Sequence, residues 1–310
     1  MMEEKTMPQK KLSKLPLQKF AMVGTGIQGT QIAMIAARTG YEVTVFDPRE
    51  GAFRQTFEKI RADLKAKKVA PLIPWNQWEA CAKKVRHVMD MRDAVKDADL
   101  ILEAVPENLE LKKKVWKEIG EKAAPGAILA TNSSSMPVSR MENEGGRPEQ
   151  VLNIHFYFPM QGVNMVDIMG GTRTRPEVME KGIAWIKSIG FVPLTVKKEL
   201  LGFCFNRVWR AIKRETLYMW GNGFVDFMDV DRAWMIFTRM KEGPFALMDK
   251  VGLDVIWDIE MVYYNDSKDP KDHPPQALKD MIGRGELGVK SGKGFYTYPN
   301  PAFLSPDFFK

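Results

Sequence analysis

Glycines at a phosphate-binding spacing, a histidine at the end of an apolar run and an acid inside another apolar run are the residues of this chain best suited to chemistry. Gly24, Gly26 and Gly29 stand as G-x-G-x-x-G within Val23–Gly29. In such a turn one glycine allows the tight bend, one lets the backbone approach a pyrophosphate, and one lets helix and strand pack closely. Apolar Phe20–Val23 precedes the turn and the helical pattern Gln31–Arg38 follows it. Ile27 and Gln28 lie within the turn, where free N–H groups and the positive end of the helix dipole meet the phosphates. A second apolar run, Val43–Phe46, ends on Asp47. A carboxylate roughly 20 residues past the glycines accepts hydrogen bonds from the adenosine ribose and repels a 2′-phosphate. The pattern therefore predicts a dinucleotide site that prefers NAD to NADP.

A nicotinamide site implies hydride transfer, which needs a base for a hydroxyl proton, a group to orient that base and donors for substrate oxygens. The chain has three histidines. His87 lies in a lysine-rich stretch and reads as a surface residue, and His273 sits in the loop signature Lys271–Pro275. His155 sits in Ile154–Pro159, at the end of an apolar strand and near the crevice where a cofactor is expected. Asp167, within Met165–Met169, is costly to bury unpaired. A histidine on the next strand would satisfy it and fix which ring nitrogen carries the proton. Asn206 opens a helix from which it can reach back into a cleft.

The elements that position these residues alternate. Strands are expected at Phe20–Val23, Val43–Phe46, Val85–Met89, Asp99–Val105, Ala127–Thr131, Val151–Phe158, Met165–Met169 and Phe191–Val196. Helices are expected between them at Gln31–Arg38, Phe53–Lys68, Trp75–Lys84, Leu109–Lys122 and Pro176–Ser188. That order predicts an α/β fold, a doubly wound Rossmann-type sheet with ligands at the carboxyl ends of its strands. Val105–Asn108 and the serine cluster Ser133–Ser135 then fall on the cofactor side. Beyond Leu201 the patterns are helical: Phe203–Gly221, Asp229–Met240, Ala246–Tyr263 and Gln276–Arg284, with one strand-like stretch at Gly294–Tyr296. The expected organisation is a flexible basic tail over 1–18, an NAD-binding domain over 19–200 and an all-helical C-terminal domain over 201–310.

Composition agrees with a globular protein. Of 310 residues, 45% are hydrophobic and 27% charged, and the net charge is +7. The excess charge suits an anionic ligand, but the lysines are scattered, so nucleic acid is not expected. No apolar run approaches the ~20 residues of a membrane span. The N-terminal stretch has no apolar region to act as a secretion signal. A cytoplasmic protein with no membrane association and no metal site is expected. Cys81 and Cys204 read as two buried, reduced thiols.

Several separated stretches together resemble the NAD-dependent L-3-hydroxyacyl-CoA dehydrogenases. They are the glycine turn with Asp47, Glu103–Leu109, Thr131–Ser135, His155–Phe156 with Pro159, Leu201–Phe203 with Asn206–Arg207, Asp249–Asp254 and Lys290–Tyr296. The resemblance implies that His155 takes the 3-hydroxyl proton and that Asp167 replaces the family's glutamate in holding that histidine. It implies that Ser134 and Asn206 hydrogen-bond substrate oxygens, and that Glu107, Lys112 and Lys290 neighbour the cofactor. It also implies an acyl-CoA thioester substrate, with Lys65, Lys67 and Lys68 as candidates for the coenzyme A phosphates, and a homodimer through the helical domain. Two departures border the acyl site. Phe158 stands where the family usually has asparagine, and Asp167 is one methylene shorter than glutamate, a lost reach of roughly 1.3–1.5 Å. Three readings follow: a hydroxyacyl-CoA dehydrogenase, a same-fold dehydrogenase of a hydroxylated carboxylate without coenzyme A, and a non-catalytic NAD-binding relative.

Overall fold

The computed structural model describes residues 17–310. By its contacts the chain divides into two compact units, with the break between Cys204 and Phe205. In the first unit the strands are β1 (Lys19–Val23), β2 (Glu42–Phe46), β3 (Val85–Val88), β4 (Leu100–Glu103), β5 (Ile128–Thr131), β6 (Val151–Phe156), β7 (Met165–Gly170) and β8 (Val192–Val196). The helices are α1 (Ile27–Thr39), α2 (Ala52–Ala66), α3 (Trp75–Ala82), α4 (Met91–Val95), α5 (Leu109–Lys122) and α6 (Pro176–Ser188). All eight strands form one sheet in the order β3-β2-β1-β4-β5-β6-β7-β8. Every pairing is parallel except β6 with β7.

Side-chain alternation along each strand feeds two cores. Phe20 and Met22 of β1 pack with Leu100 and Leu102 of β4 and with α1 on one face. Ala21, Val23 and Ile101 pack with Trp116 and Ile119 of α5 on the other. The same alternation sends Leu152, Ile154 and Phe156 of β6 into the first core. Asn153 and His155, buried polar residues, therefore take the opposite face. Strand order reverses beside β1, whose neighbours are β2 and β4, and such a reversal is where open α/β sheets bind ligands.

The second unit holds α7 (Phe205–Gly221), α8 (Phe227–Thr238), α9 (Pro244–Val251), α10 (Leu253–Ser267) and α11 (Gln276–Gly283). Its core gathers Phe245, Phe295, Tyr296 and Leu278. Two buried acids organise it. Asp231 accepts from the N–H groups of Phe245 and Ala246 at the start of α9, at 2.8 and 2.9 Å. Asp249 accepts from the N–H groups of Phe295 and Tyr296, both at 2.9 Å. The stretches Asp249–Asp254 and Lys290–Tyr296 thus meet each other inside this unit.

Several sequence expectations are corrected. The single helix expected over Ala246–Tyr263 is two, because Gly252 at φ 102° lies between α9 and α10. A continuous helix excludes that positive φ, which glycine adopts without steric cost. Gly294–Tyr296 is no strand: that region makes only isolated bridges at Lys293. The N–H groups of Phe295 and Tyr296 go to Asp249 rather than to a ladder. The five-residue α4 was not expected; Asp90 caps it by accepting from the Arg92 N–H at 2.7 Å. Cys204 is exposed, not buried. His87 is half-buried on β3, with Nε2 3.1 Å from the Asp47 carbonyl. The expected tail lies outside the described residues up to position 16. Leu17 is buried, and the N–H groups of Gln18 and Lys19 donate to Asp99.

Candidate active site

The glycine turn has the shape its spacing predicts. Gly24 adopts φ 103°, and a Cβ there would stand 2.8 Å from the Ala104 carbonyl oxygen. A Cβ on Gly29 would stand 2.2 Å from the Gly24 carbonyl oxygen, so α1 closes onto the turn only without one. Gly26 is different: nothing lies within 4 Å of its Cβ position. That opening is at the N-terminal end of α1, which no side chain caps. A diphosphate fits there, against free N–H groups and the helix dipole.

Asp47 lies at the end of β2 and accepts from the Thr25 hydroxyl at 2.7 Å and from Arg49 Nε at 3.0 Å. Burial opposes its ionisation, but the hydrogen bonds from Arg49 and Thr25 outweigh that and hold it down at about 2. Its folded-state value is depressed, so the stability it contributes is complete above about pH 4 and is lost only as pH falls towards 2.

Gln28 joins the turn to the strand that carries His155. Its Nε2 donates to the Phe156 carbonyl at 2.7 Å, and its Oε1 accepts from Asn132 Nδ2 at 3.1 Å. Asn132 Oδ1 in turn accepts from the Phe156 N–H at 2.9 Å. These three residues form a closed ring of hydrogen bonds between the ends of α1, β5 and β6. Asn132 belongs to the Thr131–Ser135 motif, but an asparagine after an apolar strand gives no sign of this link. Asn153 braces the same region by accepting from the Val138 N–H at 2.7 Å.

A buried ion pair supports the loop after β4. Lys112 of α5 is 1% exposed and Glu103 is 0% exposed, and they meet at 2.8 Å. Glu103 also accepts from Thr131 Oγ1 at 2.9 Å and from the Val105 N–H at 2.7 Å. Lys112 reaches Glu107 at 3.3 Å. Glu107 accepts from the hydroxyls of Ser133 and Ser135. Burial works against the Glu107 charge, but Lys112 and the two serines more than offset it, keeping it below the usual glutamate range. Ser134, between those serines, is exposed.

His155 and Asp167 stand directly opposite each other across the antiparallel β6–β7 pair. Nδ1 lies 3.4 Å from Oδ2, long against the ~2.9–3.0 Å usual for N–H···O. The gap is in the direction expected of the shorter acid but smaller than its lost reach, so the strands bring the pair closer than the missing methylene alone would leave it. The imidazole stacks on Phe203, with centroids 5.1 Å apart and planes at 10°. Tyr157 meets its edge at 4.7 Å. Neither aromatic was expected as part of the site. Phe203 adopts φ 52°, a sparsely populated conformation for a non-glycine residue, beside the site.

Some of the other expected site residues have partners of their own. Asn206 is the second residue of α7, in the second unit. Lys290 pairs with Asp254 at 2.5 Å within that unit. On α2, Lys65 lies over the Trp75 ring at 5.5 Å, and Lys67, just past its end, pairs with Asp63 at 3.0 Å. Lys68 is exposed. No group of acids, histidines and cysteines among the described residues could hold a metal ion.

Comparison with known proteins resolves the class. Residues 19–200 match the 3-hydroxyacyl-CoA dehydrogenase NAD-binding domain, and residues 202–298 match the C-terminal domain of the same dehydrogenases. The chain belongs to the 3-hydroxyacyl-CoA dehydrogenase family. It is 31% identical to a 3-hydroxybutyryl-CoA dehydrogenase of Clostridioides difficile, over 90% of this chain and 99% of that one. It is 30% identical to 5-formyl-3-hydroxy-2-methylpyridine 4-carboxylate 5-dehydrogenase of Mesorhizobium japonicum, over 91% of each. A solved diketoreductase structure, described for its catalysis of dicarbonyl compounds, superposes with TM-score 0.80 at 31% identity, covering 91% of this chain and 99% of that one. Membership of the family makes this an NAD-dependent oxidoreductase with a Rossmann sheet domain and a helical C-terminal region. No helix among the described residues is long and apolar enough to cross a membrane.

Asp47→Ala is expected to weaken NAD binding and relax discrimination against NADP, read as the ratio of kcat/KM for the two cofactors. An unchanged ratio would remove Asp47 from cofactor selection.

Proposed function

We propose that this family member interconverts an L-3-hydroxyacyl-CoA and a 3-oxoacyl-CoA. One observation carries the reading: Gln28 of the glycine turn donates to the carbonyl of Phe156, the residue after His155. The glycine turn is thus hydrogen-bonded to the strand that carries the imidazole, which supports placing both at one site. NAD supplies the acceptor for the hydride that leaves C3. Gly24, Gly26, Ile27, Gln28 and Gly29 hold its diphosphate, Asp47 its ribose, and Glu107, Lys112 and Lys290 border it. His155 directs Nδ1–H at Asp167, which leaves Nε2 as the base for the 3-hydroxyl proton. The carboxylate stabilises the imidazolium that forms. Ser134 and Asn206 donate to the substrate oxygens. Lys65, Lys67 and Lys68 meet the coenzyme A phosphates. The enzyme acts in the cytoplasm as a homodimer through its helical region.

A second reading, a hydroxylated carboxylate without coenzyme A, is favoured by Phe158. This residue is 61% exposed where the family usually has asparagine. A relative named as a 5-formyl-3-hydroxy-2-methylpyridine 4-carboxylate 5-dehydrogenase supports the same reading. Purified protein assayed with NAD should oxidise 3-hydroxybutyryl-CoA and leave free hydroxy acids untouched. The reverse preference supports the second reading. NAD binding with turnover of neither would make the chain a non-catalytic relative.

A further inference from the structure

We propose that Tyr157 is a positioning residue for His155: its phenol holds the short carboxylate of Asp167 where the imidazole can reach it. The inference rests on the role given to His155 above. Tyr157 follows His155 by two positions, so the two side chains leave the same face of the chain. Its hydroxyl donates to Asp167 Oδ2, the same oxygen that lies 3.4 Å from His155 Nδ1. The other oxygen, Oδ1, is buried with no hydrogen-bond partner. The terminal torsion of an aspartate is broad and nearly two-fold, so the backbone alone does not decide which oxygen faces the ring. The phenol decides it, by anchoring one oxygen between itself and the imidazole.

The same residue restrains the ring. Tyr157 contacts the imidazole edge at 4.7 Å, and Phe203 covers its face at 5.1 Å. The imidazole is thus bounded by two aromatics and one acid. Asp167 is buried at the centre of β7, and its register opposite His155 is fixed by the strand pair. It cannot move closer without moving the sheet. Restraint by a side chain from β6's own end replaces the reach that a longer acid would supply.

Tyr157→Phe keeps the ring and removes only the hydroxyl. It should lower kcat about 10-fold or more, the scale of a small misplacement of a reacting group. NAD affinity and KM for the hydroxy substrate should stay within about twofold, because the loss lies in the reacting state and not in binding. Asp167→Glu should make the phenol dispensable. The single variant Asp167→Glu and the double variant Asp167→Glu/Tyr157→Phe should then differ by less than about threefold, a coupling that merely structural tyrosine would not show. Wild-type kcat in Tyr157→Phe would overturn the proposal. So would a loss that Asp167→Glu leaves unrepaired, or a Tyr157→Phe protein that no longer binds NAD. His155→Ala, run in parallel, separates the two levels. Full activity there would refute the reading of His155 itself. A dead His155→Ala with an unaffected Tyr157→Phe would refute Tyr157 alone.

Discussion

Alanine at position 155 is expected to lower turnover by about 10²–10⁴, the usual cost of removing a group that transfers a proton in the transition state. NAD affinity should change little, because the residues proposed to hold the diphosphate and ribose, the glycine turn and Asp47, lie away from the imidazole's chemistry. The imidazole is buried, aligned by Asp167 and enclosed by Phe203 and Tyr157. A core histidine of no function would need one satisfied ring nitrogen and nothing more. Here the structure devotes a buried acid and two aromatics to its orientation, beside a link to the nucleotide turn. Steady-state kinetics with the hydroxyacyl substrate, and titration of NAD binding, check both halves. Full activity in the variant would remove His155 from the reaction.

Lys112→Met is expected to cost about 3–5 kcal/mol, the range for removing one partner of a buried ion pair. Methionine keeps most of the volume, so the loss comes from Glu103, left charged and buried without its cation. Glu103 would still accept from Val105 and Thr131, which softens the loss without replacing the charge. The loop after β4 should loosen as well, because Lys112 also holds Glu107. Urea unfolding followed by tryptophan fluorescence is a suitable readout, since Trp116 lies against Glu103 at 3.3 Å. A loss below about 1 kcal/mol would show that the pair is worth no more than a surface one.

Much of this could be read from residue types. The glycine spacing, the apolar run before it and Asp47 at the end of the next run specify a turn whose geometry has few solutions. Near-continuous apolar strands such as Leu100–Glu103 mark a sheet covered on both faces. The family motifs around His155 and Asn132 were visible for the same reason: chemistry demands particular residue types there. What was hidden depends on register. The pairing of His155 with Asp167 was legible from the cost of a lone buried acid and from the family motif, but the antiparallel register that sets them directly opposite on β6 and β7 is announced by no local pattern. Gln28 reaches Phe156 across 128 positions of sequence. Tyr157 reads as one more aromatic in an aromatic run until its hydroxyl is placed. In the second unit, Asp249 stands in a recognisable motif, yet nothing in that motif announces that it holds the Phe295–Tyr296 backbone from 46 and 47 positions away.

The central proposal is that the imidazole of His155 abstracts the proton of a 3-hydroxyl while hydride leaves the same carbon. A crystal structure of the protein with NAD and acetoacetyl-CoA tests this most directly. The 3-oxo oxygen should lie within roughly 2.6–3.2 Å of His155 Nε2, with C3 over the nicotinamide ring. A complex in which the nicotinamide lies away from β6, or the 3-oxo oxygen meets no imidazole, would contradict it.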